Sequence, residues 1–94
     1  MSVYVDALFN TKGLSPNWPY PQACHLTADS DEELHVFARK IGMKLAWFQG
    51  EGHVIHHYDL TARRRLSAIK LGATEEGRRE AYERHKKERD NGGL

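Results

Sequence analysis

The sequence predicts a small α/β domain. Its sheet is expected to be mainly parallel with three to four strands, and it is joined by two packed helices and a charged C-terminal helix. Two observations predict this class. Short β-branched and aromatic runs alternate with helical apolar stripes, in the order strand, loop, strand, helix, strand, helix, which is typical of layered α/β domains. A right-handed crossover through the first helix would make the flanking strands parallel.

The first half of the chain contains two predicted strands and a long loop. Residues 3–5 are β-branched and aromatic, as in a buried strand, and Asp6 follows them. Residues 10–22 hold all three prolines and are predicted to form a loop. Residues 23–28 are predicted to form the second strand.

The first helix has the clearest signals. Ser30 and Glu33 have the spacing of a capping box at its start. Gly42 is placed to end it in the left-handed conformation. Its apolar side chains recur at helical spacing and predict one buried stripe; they are Leu34, Phe37, Ala38 and Ile41.

The middle of the chain predicts two more strands and the second helix. Residues 45–49 are predicted to form the third strand, and residues 54–58 a fourth strand or an extended lead-in. Thr61 is expected to cap the second helix, and Gly72 to end it. The side chains expected to face inward from this helix are Ala62, Leu66, Ile69 and Ala73.

The chain is expected to divide into an α/β domain over residues 1–73, an exposed charged helix over residues 74–90 and a disordered tail over residues 91–94. The last helix offers little apolar area besides Ala81 and Tyr82. We therefore expect it to pack poorly on its own domain and to serve association, including formation of a homo-oligomer. Tyr82 is the expected anchor.

Length, charge and cysteine content restrict the function. Ninety-four residues, 39% of them hydrophobic, suffice for one domain with a modest core. The net positive charge is confined to residues 61–73, while residues 1–60 are net acidic and residues 74–94 are balanced, which excludes a broadly basic nucleic-acid binder. No apolar run could span a bilayer, and the N-terminus does not resemble a signal peptide. With Cys24 as the single cysteine, a cytoplasmic location is expected.

Several short motifs lie at separate points of the chain. They are Val3-Tyr4-Val5-Asp6, Cys24-His25-Leu26, Asp29, Glu32-Glu33-Leu34-His35, Phe37-Ala38, Ile41-Gly42, Trp47-Phe48-Gln49, His57-Tyr58-Asp59, and residues 68–73. In this order they resemble a small family of bacterial and phage domains of unknown function. The resemblance covers roughly residues 3–73. It implies no activity, so the chemistry has to be argued from the residues.

Three aspartates follow predicted strands: Asp6, Asp29 and Asp59. In parallel sheets, ligands bind beyond the carboxyl ends of the strands, so these carboxylates would converge. Carboxylate oxygens favour Mg²⁺ or Mn²⁺, which can activate water against a phosphate ester. For Asp29, a helix-capping or turn role is the favoured alternative.

Histidines supply the second group of candidates. In an extended segment, His57 and Asp59 lie on one side, where they could ligate a metal or orient a base. Alternatively, His57 bonds the loop and Asp59 favours the next helix N-terminus; both interpretations stay open. Cys24 and His25 face opposite ways on a strand, with Cys24 expected in the core. His35 is expected to be structural.

Arg64 belongs to a run of three arginines that could hold phosphates, although a solvated helix face is the favoured interpretation. Several aromatic side chains could stack on a base, but a core of this size needs them; they are Trp18, Tyr20, Trp47 and Phe48.

We expect one shallow pocket at the strand ends. Its predicted ligand-binding residues are Asp6, His25, His57, Tyr58, Asp59 and Arg64. The predicted metal ligands for a divalent ion are Asp6, His57 and Asp59, with His25 or Asp29 as a helper. One function class is a binding module for a nucleotide, a nucleic acid or a protein, which the small size favours. The alternative is a metal-dependent phosphoester hydrolase.

Overall fold

The computed structural model describes residues 2–11, 18–53, 55–77, 79–80 and 83–84. The strands are β1 (Val3–Val5), β2 (Phe9–Asn10), β3 (Gln22–Ala28), β4 (Tyr58–Leu60) and β5 (Thr74–Glu75), and the helices are α1 (Asp31–Lys40) and α2 (Ala62–Lys70). The predicted α/β class is confirmed. In these parts of the chain, no helix has the length and apolar character needed to cross a membrane.

The sheet is mixed, so the prediction of a mainly parallel sheet is wrong. The central strand β3 pairs antiparallel with β1, β2 and β4, and β5 lies parallel to β1. After α1 the chain does not return beside β3 as a strand, because residues 45–47 form a 3-10 turn whose Leu45 and Trp47 side chains are exposed. The chain then turns back at residues 50–53, and β4 therefore runs opposite to β3.

The segment Thr74–Glu75, which we predicted to open the last helix, belongs to the sheet. It pairs with β1, and the Glu76 N–H donates to the Val5 carbonyl at 2.8 Å. Helical residues 79–80 and 83–84 follow. Ala81, Tyr82 and residues 91–94 lie outside the described residues.

Arg84 ties this C-terminal segment to the sheet. Its guanidinium lies 3.8 Å from the centre of the Tyr4 ring. Its Nη2 donates to Thr27 Oγ1 at 2.8 Å, and its Nε donates to Glu76 Oε2 at 2.9 Å. At Arg84 the segment therefore packs on its own domain, and association through the rest of the helix stays a prediction.

The predicted caps set the ends of both helices. Ser30 Oγ accepts from the Glu33 N–H at 3.2 Å, while the Glu33 carboxylate accepts from the Ser2 N–H instead of completing a capping box. Gly42 adopts φ +84°, the left-handed conformation expected of a glycine there. Thr61 Oγ1 accepts from the Arg64 N–H at 3.2 Å.

The core lies between the helices and one face of the sheet. Its buried members are Val3, Val5, Cys24, Leu26, Leu34, Phe37, Ala38, Ile41, Tyr58, Leu60, Ala68 and Ala73. The predicted stripe of α1 is confirmed. Of the predicted stripe of α2, Ile69 and Ala73 pack in the core, but the prediction for Leu66 is wrong, because it is 60% exposed while Ala68 is buried. Arg65 Nε donates to the Asp6 carbonyl at 2.8 Å. This bond turns Arg65 towards the sheet, and the next residue therefore points about 100° away.

Candidate metal centre

Three polar side chains form a row across the sheet. His25 in β3 lies directly opposite Asp59 in β4. On the other side of β3, the Asp6 N–H donates to the His25 carbonyl at 3.2 Å. Directly paired residues share a face, and side chains alternate along a strand. Because Cys24 and Leu26 point into the core, the row lies on the opposite face.

His57 joins this row from the residue that precedes β4. Its backbone pairs with Gln49, with N–H to carbonyl bonds of 2.9 and 3.1 Å. This pairing keeps the chain extended, so His57 and Asp59 lie on one side, as alternation requires. His57 Nε2 lies 3.5 Å from Asp59 Oδ1, and the His57 and His25 ring centres are 4.9 Å apart.

Asp6 orients His25 and uses both of its carboxylate oxygens to do so. Oδ1 accepts from the His25 backbone N–H at 2.6 Å, and Oδ2 lies 2.7 Å from His25 Nδ1. An ionised carboxylate can only accept, so Nδ1 carries the proton. His25 Nε2 then faces Asp59 Oδ1, at 3.9 Å.

His57 is held in the matching tautomer by the backbone. Its Nδ1 lies 2.8 Å from the Ile55 carbonyl oxygen, which can only accept a hydrogen bond. The lone pair is therefore on Nε2, the atom near Asp59. Burial lowers the pKa of His57 below its ordinary 6.5, although the Ile55 carbonyl and Asp59 act in the opposite direction. The neutral imidazole is the form that binds metals.

Among the described residues, His25, His57 and Asp59 form a group that could hold a metal, with one ligand atom from each within 4.8 Å of the others. Zinc bonds of about 2.0–2.1 Å would place tetrahedral ligands roughly 3.4 Å apart, so small side-chain rotations would close the site. Two imidazoles and a carboxylate suit zinc better than magnesium. The His25 and Asp59 side chains are 40% and 31% exposed, which leaves solvent access for a fourth ligand.

The candidate group differs from the predicted ligand set in one residue. Asp6 was expected to bind the metal, but its oxygens are engaged by His25, so Asp6 is placed to position a ligand. His25, expected as a helper, belongs to the group of three residues that could hold a metal. The site also lies on a sheet face instead of at the strand ends, because the strands are antiparallel.

Two other predicted residues lie away from this site. Asp29 follows the far end of β3, where it accepts from the Tyr4 hydroxyl at 3.2 Å. Tyr58 is buried on the core face of β4, and its hydroxyl lies 2.8 Å from His35 Nδ1. His35 therefore has the structural role expected of it.

A cavity of about 440 Å³ adjoins the row at Asp59. Its lining residues are Trp18, Pro19, Tyr20, Met43, Trp47, Gln49, Asp59, Thr61 and Arg64. Gln49 Nε2 donates to Asp59 Oδ2, the oxygen that does not face the histidines. Arg64 Nη1 donates to the Ile41 carbonyl at 2.7 Å, and its guanidinium lies 5.8 Å from the centre of the Trp47 ring.

The cavity is the part of the site that sequence reasoning missed. Trp47 and Tyr20 were assigned to the core, but they are 44% and 51% exposed. The available signal was the proline-rich loop, since long loops often carry function. His25, by contrast, was predicted to line the site, because it alternates with the core residue Cys24 along the strand.

A comparison with protein families adds one finding. The sequence profile of a family described as protein of unknown function (DUF4031) matches residues 3–88. The match extends beyond residue 73, so it includes β5 and the charged segment after it. No curated protein and no solved structure matches the chain. The chain belongs to the DUF4031 family.

Proposed function

We propose that this protein is a metal-dependent hydrolase of phosphate esters. The observation that carries the proposal is the grouping of His25, His57 and Asp59, with the Nδ1 of each imidazole engaged elsewhere. Three protein ligands with a solvent-accessible fourth position are typical of catalytic zinc sites.

The four residues have distinct roles in this proposal. His25 and His57 would hold the metal through Nε2, and Asp59 would hold it through Oδ1. Asp6 fixes the orientation and tautomer of His25, as carboxylates do behind many metal-bound histidines. Gln49 holds the second oxygen of Asp59, which keeps Oδ1 directed towards the histidines.

A zinc ion held by these three residues would supply an activated water, because zinc lowers the pKa of a bound water to about 7. In hydrolysis the water oxygen forms a bond to phosphorus, the ester bond between phosphorus and the leaving oxygen breaks, and a proton from water goes to the leaving alcohol. Arg64 supplies a cation to the wall of the cavity that Asp59 also lines. One of its N–H donors is used on Ile41, and a guanidinium has five.

A second cavity supports a phosphate-bearing substrate. It has a volume of about 520 Å³, and Tyr20, Thr61 and Arg64 line both cavities. The second cavity is also lined by Arg63. The surface that leads away from Asp59 is therefore cationic, as binding of phosphate oxygens requires.

Metal titration tests the proposal directly. We expect the metal-free protein to take up one Co²⁺ or Zn²⁺ ion. Calorimetry measures this uptake for both ions, and visible absorption measures it for Co²⁺. We expect His57→Ala and Asp59→Asn to lose this uptake. His56→Ala is the matched control, because His56 is next in sequence but pairs with Asp31 at 2.9 Å. Equal uptake by the wild type and the two site variants would refute the metal centre.

Turnover separates hydrolysis from binding alone. We expect the metal-loaded protein to hydrolyse the monoester 4-nitrophenyl phosphate, and His57→Ala to be inactive. Uptake of metal without any phosphoester hydrolysis would reject the hydrolase and would favour the binding-module alternative.

A further inference from the structure

We infer that the substrate of this site is a nucleoside monophosphate, whose base lies in the aromatic cavity beside Asp59. For the position of the phosphate, this inference rests on the proposed function. The new part is the chemical class of the rest of the substrate, which the proposed metal site does not determine.

The shape and lining of the cavity carry the argument. Its volume of about 440 Å³ lies within the roughly 300–1,000 Å³ of small-molecule sites. Trp18 and Tyr20 enter from the chain before β3, with ring centres 5.4 Å apart in an edge-to-face contact. Trp47 and Met43 line the cavity from the segment after α1. The tryptophan and tyrosine rings are planar, largely apolar surfaces on which a planar ring can stack.

Trp47 is the expected stacking partner. Its side chain is 44% exposed, so part of the ring surface can be reached by a ligand. The ammonium of Lys44 lies 5.5 Å from the ring centre, and the guanidinium of Arg64 lies 5.8 Å away. Two cations therefore lie over the Trp47 ring, which favours a ligand whose ring carries an anionic group.

Asp59 connects the two halves of the site. Its Oδ1 faces the histidines, while Gln49 donates to its Oδ2 from the cavity wall. A ligand whose phosphate reaches the metal position therefore continues into the cavity past Gln49. A nucleoside monophosphate has this composition, with a phosphate at one end and an aromatic base at the other.

Binding of adenosine 5′-monophosphate, ribose 5-phosphate and inorganic phosphate tests the inference. Each is titrated against metal-free and metal-loaded protein, with calorimetry and tryptophan fluorescence as readouts. We expect the nucleotide to bind at least about 10-fold more tightly than ribose 5-phosphate, since stacking of one base on an aromatic side chain contributes about 1–3 kcal/mol.

Trp47→Leu is the test variant, because it keeps an apolar side chain and removes the flat ring. We expect it to abolish the preference for the nucleotide while metal uptake stays unchanged. In turnover of the nucleotide, KM should rise about 10-fold or more, with kcat little changed. Leu45→Ala is the control, since Leu45 is exposed in the same 3-10 turn and does not line the cavity.

The outcomes separate this inference from the proposed function. Equal affinity for the nucleotide and ribose 5-phosphate would overturn the inference, while hydrolysis of 4-nitrophenyl phosphate would still support the hydrolase. A nucleotide preference that depends on Trp47 in metal-free protein would support the inference even if metal uptake failed.

Discussion

The Asp6 carboxylate contacts His25 twice: it accepts from the His25 backbone N–H at 2.6 Å and lies 2.7 Å from the His25 imidazole Nδ1. One side chain thereby fixes both the backbone and the ring of the same residue in the neighbouring strand. The side chain of Asp6 is only 13% exposed, so solvent does not weaken this contact. The orientation of His25 therefore depends on the charge of Asp6.

Asp6→Asn should weaken metal binding without unfolding the domain. The amide is similar in shape but presents N–H donors, so His25 Nδ1 becomes an acceptor and Nε2 carries the proton. Loss of such a partner typically reduces metal affinity by about 10–100-fold. Calorimetric titration with Zn²⁺ measures the change. Asp31→Asn is the control, because Asp31 also pairs with a histidine, His56, but outside the site. Equal effects of both variants would contradict the role of Asp6.

Phe37→Ala should lower the free energy of unfolding by about 3 kcal/mol, as for other buried aromatic side chains. Phe37 is 6% exposed within the core. Chemical denaturation measures the loss. The neighbouring Val36 is 46% exposed, so Val36→Ala should change stability by less than about 0.5 kcal/mol. An unchanged midpoint for Phe37→Ala would show that the core is packed differently.

Gly42→Ala and Gly72→Ala should both destabilise the domain by about 1–2 kcal/mol, because each glycine has a positive φ, +84° and +105°. Only Gly42→Ala should also weaken nucleotide binding. A Cβ at Gly42 would lie 2.9 Å from Arg64 Nη1, whereas one at Gly72 meets nothing within 4 Å. Denaturation and nucleotide titration of the pair separate backbone strain from displacement of Arg64. Unchanged nucleotide affinity in Gly42→Ala would argue against a role for Arg64.

Arg84→Gln should destabilise the domain, because it leaves the Glu76 carboxylate without its two-point contact. Glu76 has a side chain only 9% exposed, and it accepts from Arg84 at 2.9 and 3.2 Å. Breaking one side of a buried pair typically costs about 3–5 kcal/mol, and partial exposure of Arg84 places the expected loss below that range. Thermal melting measures it. Arg79→Gln, at a 91% exposed arginine, should leave the melting temperature unchanged.

Cys24 should resist alkylation in the native protein. Burial raises the pKa of its thiol to about 12 from 9.0, and Asp6 and Asp59 add to this effect. Little thiolate is therefore present at pH 8, and thiolate is the reactive form. Iodoacetamide should label the unfolded protein at this pH and leave the native protein unlabelled, as measured by mass spectrometry.

The raised pKa of Cys24 also makes the free energy of unfolding depend on pH. Because the folded-state pKa of Cys24 lies above the unfolded value, its contribution to stability is present below about pH 9 and is lost as the pH rises towards 12. The decrease in unfolding free energy with pH should be smaller in Cys24→Ala. An equal slope in both proteins would contradict the assignment.

Local signals predicted the helices, while strand pairing required the whole structure. Ser30 and Thr61 marked helix starts because a cap depends on residues within one turn. The apolar segment that starts at Leu45 was predicted to be a strand but forms a 3-10 turn. A short apolar run is ambiguous, because several kinds of segment share it. The pairing of Tyr4 with Thr74 has no local signal, because it joins distant parts of the sequence.

The candidate site was predictable where it depends on alternation along one strand. This rule placed His57 and Asp59 together and turned His25 away from the core. The rule does not give strand direction, so the aspartates were expected to converge at parallel strand ends. Because β1 and β3 are antiparallel, their carboxyl ends lie at opposite edges of the sheet. Asp6, which follows β1, therefore lies beside His25, while Asp29, which follows β3, lies at the other edge.

The pairing of β5 with β1 also has a consequence for biosynthesis. Val5 pairs with Glu75, so β1 leaves the ribosome about 70 codons before its parallel partner. At translation rates of about 5–20 residues per second, this edge of the nascent sheet waits roughly 4–14 seconds for β5. An uncovered edge strand is a template for pairing with other chains. This edge of β1 should therefore become protected from such pairing only when residues 74–75 are free to pair with it.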